Sequence, residues 1–129
     1  MKIQPHQSST TKIAEVLSEE IIIGTIEDGL NLMPDIYYQG YDALILHEKN
    51  ITPDFFDLKT GLAGEVLQKF SNYRMRLAIV GDFQSYKSKS FNDFVFESNK
   101  NRQINFVGSV EEAVERLGWA YNSFTSNFQ

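Results

Sequence analysis

Leu44-Ile45-Leu46-His47-Glu48-Lys49-Asn50-Ile51-Thr52-Pro53-Asp54-Phe55-Phe56-Asp57-Leu58-Lys59-Thr60-Gly61-Leu62-Ala63-Gly64 joins a short apolar run to a dense polar cluster and then to the opening of a helix. A second apolar run, Leu77-Ala78-Ile79-Val80, also exits into polar sequence at Gly81-Asp82. Short runs this apolar suit strands covered on both faces, as in a parallel sheet. Between them Leu62, Val66, Leu67 and Phe70 form a helical stripe, and small Ala63 and Gly64 permit close packing. That helix can begin at Thr52-Pro53, with a cap and a first-turn proline, or a turn later at Asp57.

Working outward, Lys12 to Leu17 alternates in the manner of a strand, and Ile21-Ile22-Ile23 follows across a short polar gap. These two runs are expected to pair as a hairpin. Residues 1–11, rich in Gln, Ser and Thr, read as a flexible lead-in. Ile26, Leu30, Met33 and Tyr37 fall near helical spacing behind Thr25 as N-cap, and Pro34 predicts a kink or an early end. Phe91, Phe94 and Val95 behind Ser90 give a third helix, and Ile104 to Val107 a fifth strand. Ser109 with Glu112 has the spacing of a capping box, opening a last helix with Val110, Ala113, Val114 and Leu117 inward.

The expected order is β-β-α-β-α-β-α-β-α: an α/β fold with a mixed sheet of about five strands covered by helices. One domain spans 12–118. Residues 119–129 form an aromatic tail with Trp119, Tyr121, Phe124 and Phe128, suited to docking on the domain or on a second copy in a homodimer.

A chain of 129 residues fits one domain and buries about two-thirds of its unfolded surface, enough for a core without staples. The net charge of -5 and the lack of a basic stripe argue against nucleic acid as a partner. The absence of Cys excludes disulfides, thiolate catalysis and Cys-ligated zinc. No leader pattern stands at the N-terminus, and no apolar run approaches the roughly 20 residues that span a bilayer. A soluble cytoplasmic domain without a membrane partner is expected.

Sites in open α/β sheets lie beyond the carboxyl ends of the parallel strands. Those ends carry His47, Glu48, Lys49 and Asn50, then Gly81 and Asp82, then Gly108 and Ser109. An acid-base pair of His47 with Glu48 or Asp82 is one reading, since imidazole titrates near neutrality. Adjacent residues on an extended chain point to opposite faces, which separates His47 from Glu48. The structural alternative is a His that caps the strand end. His47, Asp54, Asp57 and Asp82 are ligand types for a hard divalent ion, but no paired-His or calcium-loop motif accompanies them. Acidic groups at a helix start explain Asp54 and Asp57 equally well. No metal or other cofactor is expected. Thr60 at a helix start is within reach of a phosphate-based switch; the alternative is a helix-start Thr beside a Gly used for packing.

The run from His47 to Gly61, with Lys69-Phe70-Ser71-Asn72-Tyr73 and Ala78-Ile79-Val80-Gly81-Asp82-Phe83, resembles the bacterial domain-of-unknown-function family 4180 from about Lys12 to Leu117. That resemblance implies no catalytic residue. More distantly, the element order is similar to the STAS domain of sulfate-transporter tails and anti-sigma factor antagonists. In that fold an Asp-Ser-Ser/Thr-Gly-Leu segment opens a helix, and the hydroxyl before Gly is phosphorylated. Thr60-Gly61-Leu62 resembles that step and Asp57 the acidic position, with one extra residue between them and Lys59 in place of a small hydroxyl residue.

The resemblance implies a non-enzymatic regulatory or interaction module that binds a protein or small ligand through Asn50, Asp54, Asp57, Lys59 and Thr60. Phe55 and Phe56 would anchor a partner if exposed. The alternative is a small enzyme or metabolite-binding protein with a pocket at His47, Glu48 and Asp82.

Overall fold

The computed structural model describes residues 2–126, with side chains as far as Gly118. Strands β1 (Lys2–Ser8) and β2 (Thr11–Leu17) are followed by helix α1 (Ile26–Tyr38), strand β3 (Ala43–His47) and helix α2 (Leu62–Asn72). Strand β4 (Arg76–Val80), helix α3 (Lys89–Asn101), strand β5 (Ile104–Val107) and helix α4 (Val110–Ser126) complete the chain. The sheet order is β1-β2-β3-β4-β5, with β1 antiparallel to β2 and every later pair parallel. The expected mixed five-strand α/β fold is therefore the observed one.

Two expectations about the start are corrected. The stretch read as a lead-in is an ordered strand, and the hairpin joins β1 to β2 rather than β2 to Ile21–Ile23. A two-residue turn at Ser9-Thr10, with Ser9 at a φ of 56°, sets the register that pairs Ser8 with Thr11 and Lys2 with Leu17. The polar composition of β1 is what an edge strand uses against unwanted pairing, and Pro5 is tolerated there because an edge can spare a donor. Ile21–Ile23 is instead a strap across the sheet mouth, and Ile23 forms an isolated parallel bridge to Ile51.

Other local signals survive with adjusted boundaries. Thr25 caps α1 in a reciprocal box: its hydroxyl accepts from the Asp28 amide, and the Asp28 carboxylate accepts from the Thr25 amide. Pro34 does not end this helix. It lies on the exposed side, while Leu32, Met33 and Ile36 are buried and hold the helix to the core. Ser88, rather than Ser90, caps α3 by accepting from the Phe91 amide. Two 3-10 turns, Pro53–Phe56 and Leu58–Thr60, precede α2, so the helix starts later than either expected position.

Three consecutive crossovers step the same way along the sheet, and right-handed connections place α1, α2 and α3 on one face. Their large core includes Met33, Ile36, Val66, Phe70 and Phe91. The opposite face is covered by α4, with Ala113 and Leu117 over Ile13, Ile45 and Ala78. The α4 helix runs to Ser126 through part of the expected tail; the side chains of Trp119, Tyr121 and Phe124, and all of Phe128, lie outside the described residues. α4 meets the sheet edge at Gly118, where an added Cβ would overlap the Ser8 hydroxyl and lie 2.5 Å from the Ser8 Cβ. Gly118→Leu is expected to push α4 from β1 and cost about 1–3 kcal/mol, read as a lowered urea midpoint with an unchanged slope.

Candidate functional site

The end of β3 sends two neighbouring side chains in opposite directions, as alternation along a strand requires. His47 turns toward the α4 side of the sheet. There its Nε2 lies 2.7 Å from one oxygen of Glu15, while His6 Nε2 lies 2.8 Å from the other. Glu15 is buried, and an ionised carboxylate only accepts, so both imidazoles carry their proton on Nε2. Burial alone would raise the Glu15 carboxyl, but hydrogen bonds from the two histidines, then their charge, bring it below its ordinary value of 4.5.

Glu48 turns the other way. One of its oxygens accepts from the Asp82 amide at 3.2 Å and the other from the Tyr86 hydroxyl. Burial, then the bond to Glu48, holds that hydroxyl well above its usual range. Gly81 makes the approach feasible, since a Cβ there would lie 2.5 Å from Glu48 Oε1 and 2.8 Å from Glu48 Cβ. Glu48 therefore clamps the exit of β3 to the exit of β4. His47, Glu48 and Asp82 are not brought to one place: the histidine belongs to the Glu15 cluster, and the glutamate is spent on the clamp.

Asn50 leaves the expected binding set. It is wholly buried; its Oδ1 accepts from the His47 amide, and its Nδ2 donates to the carbonyls of Ser18 and Glu20. Phe55 and Phe56 are also buried, so they stiffen the loop from inside and offer no exposed anchor. Asp54, Asp57, Lys59 and Thr60 do share one exposed surface, on the two turns before α2. The Asp57 carboxylate accepts from the Lys59 amide. The Thr60 hydroxyl has the carbonyls of Asp54 (2.7 Å) and Asp57 (2.9 Å) within reach as acceptors, and accepts from the Leu62 amide at 3.2 Å. Thr60 thus ties the two turns to the start of α2.

A concavity at the strand exits lies one strand further along. A crevice of about 840 Å³ opens between the ends of β4 and β5, lined by Asp82, Phe83, Gln84, Asn92, Phe106 and Glu112 among others. The chain leaves β4 toward α3 on one face and β5 toward α4 on the other. Loops that part in this way leave a crevice at the carboxyl ends of adjacent strands. Phe83 and Phe106, 5.1 Å apart edge to face, give it an apolar side. Two carboxylates and the carboxamides of Gln84 and Asn92 give it polar groups. The crevice holds Asp82 and neither His47 nor Glu48.

Among the described residues, no group of three or more His, Asp or Glu side chains is disposed to hold a metal ion. The set His47, Asp54, Asp57 and Asp82 is dispersed over the α4 face, the turns before α2 and the crevice. Among the same residues, no helix is long and apolar enough to cross a membrane.

With this geometry in place, comparison with known proteins adds one finding. A family profile described as Domain of unknown function (DUF4180) matches residues 8–117. The chain belongs to the DUF4180 family. No curated protein and no solved structure matches it. The likeness to the STAS domain therefore rests on element order, on Asp57 and on Thr60-Gly61-Leu62.

The His6–Glu15–His47 cluster is what sequence reasoning missed in this member of DUF4180. Gln4 is the residue directly opposite Glu15 across the β1–β2 pair, so His6 reaches it diagonally, two positions along. A short, mostly polar stretch at an N-terminus gives no warning of that register. A carboxyl held low in the folded state stabilises fully above its unfolded value, and the gain fades as pH falls toward the folded one. Glu15→Gln is therefore expected to cost about 1–2 kcal/mol at pH 7, with the gap to the parent closing below about pH 4.5. Denaturant melts at pH 7, 5 and 3 check this, and a gap independent of pH would contradict it.

Proposed function

We propose that this DUF4180 protein is a non-enzymatic regulatory module that takes a small ligand in the crevice between β4 and β5. The reading is carried by one observation: the crevice lies where the loops after these strands part to opposite faces of the sheet. Its volume is in the range of small-molecule sites, about 300–1,000 Å³. Asp82 and Glu112 favour ligands with donor groups, an amine or several hydroxyls, while Phe83 and Phe106 suit an apolar or planar body.

A route from ligand to partner follows from the rings. Phe83 lines the crevice and packs 6.0 Å from Phe56, which lies under the turns that carry Asp54, Asp57, Lys59 and Thr60. Those exposed residues form the surface offered to a protein partner in the cytoplasm. Hydrolytic or acid-base chemistry gains no support from the geometry, because His47 is turned to the face opposite Glu48 and Asp82.

The protein purified from its own host is expected to carry a small-molecule mass in native mass spectrometry. Asn92→Phe, which fills the mouth of the crevice from an exposed helical position, is expected to lower that occupancy about tenfold or more, whereas Lys59→Ala leaves it unchanged. Equal occupancy in Asn92→Phe and the parent overturns the assignment of the crevice.

A further inference from the structure

We infer that the opposite end of the sheet holds a second binding site, for a small planar anion that carries a phosphate or a carboxylate. A groove of about 520 Å³ lies at the amino ends of β2, β3 and β4. Tyr37 and Tyr41, from the end of α1 and the loop after it, and Tyr73, from the end of α2, contribute aromatic walls. Arg74 and Arg76 supply positive charge, and Asp42 is the acidic group among the lining residues.

Arg76 carries the inference. It is the first residue of β4 and half-buried, and among the described residues its guanidinium donates no hydrogen bond and closes no ion pair. Burial works against its charge, and Asp42 works for it, yet guanidinium remains protonated in proteins. Its five N–H donors, which reach the groove, are therefore bonded to no acceptor among the described residues. Asp42 attracts Arg76 by its charge without bonding to it, and its Oδ2 accepts from the Lys12 amide at 2.9 Å. Two guanidinium groups against one carboxylate leave the groove one positive charge in excess, within a chain whose net charge is -5.

The same surroundings define what fits. The carboxyl ends of α1 and α2 point partial negative charge toward this end of the sheet, which disfavours a diffusely bound anion. An anion that meets Arg76 directly through two oxygens gains a paired, charge-assisted contact that overcomes this. Tyr37 and Tyr73 are 68% and 64% exposed, and their rings suit stacking against a flat body. The groove has room for one small molecule rather than a peptide chain.

Titration of the full chain with phenyl phosphate, benzoate and inorganic phosphate, followed by NMR of the tyrosine rings and the Arg76 side chain, tests this. At least one aromatic anion is expected to bind about tenfold more tightly than inorganic phosphate, and the comparison of the two identifies the preferred anionic group. Arg76→Gln is expected to abolish the response. Tyr73→Ala, at an exposed position that leaves the fold intact, is expected to reduce binding toward that of inorganic phosphate. Asn92→Phe in the crevice leaves it unchanged. Silence of Arg76 to both aromatic anions, parental affinity in Arg76→Gln, or equal binding of inorganic phosphate and the aromatic anions overturns the inference.

Discussion

The mouth of the sheet is organised around one buried amide. Asn50 closes the 3-10 turn after β3, where its Oδ1 accepts from the His47 amide at 3.0 Å. Its Nδ2 donates to Ser18 and Glu20, and its backbone carbonyl accepts from Ile22 and Ile23. Five contacts from one residue thus tie the strap after β2 to the exit of β3. Each such bond is worth only about 1 kcal/mol net, but a buried donor or acceptor left unpaired costs about 1–3 kcal/mol. The strap and the exit of β3 are consequently held as a unit.

From that unit two different fastenings extend. On the α4 face, Glu15 gathers histidines from β1 and β3, so the edge strand is held by side chains as well as by its ladder. On the crossover side, Glu48 reaches the amide of Asp82 and the hydroxyl of Tyr86, fixing the loop after β4. The bond to Tyr86 is partly buried, in surroundings where a charged acceptor is worth more than in water. One wall of the crevice is therefore set from β3 by a residue that does not line it. This separates the supporting role of Glu48 from the position of Asp82 in the crevice lining.

How legible the chain was depended on whether a signal is local. Ala43–Leu46 and Leu77–Val80 are buried strands because continuous apolar runs have no other use in a small sheet, and Thr25 with Asp28 forms the capping box that its spacing allows. The β1 strand was illegible because an edge strand must be polar, and polar sequence at an N-terminus looks the same in either state. The Glu15 cluster was hidden for a related reason: a register set by the two-residue turn at Ser9 and Thr10 is not written in the residues it brings together. Asn50 was misread as surface because its burial follows from a strap whose path is non-local. Asp54, Asp57, Lys59 and Thr60 were legible as an exposed set, since turn-forming polar residues before a helix stay outside whatever the tertiary fold.

The placement of the rings limits how the crevice can communicate. The β4 strand runs from Arg76 to Val80, and Leu77, Ala78 and Ile79 within it are wholly buried between two helical layers. A strand packed on both faces at crystalline density has no second arrangement to adopt, so occupancy at its carboxyl end is not passed along it to the arginines at its amino end. Phe83 and Phe56 differ in this respect. Both belong to short 3-10 turns, elements with few bonds of their own, and they meet Tyr86 and Phe91 in tilted and edge contacts that can be rearranged. A shift of Phe83 would be felt first by Phe56 and then by the turn that leads to Asp57 and Thr60. Transmission sideways across the exits, rather than lengthwise through the sheet, is what this packing permits.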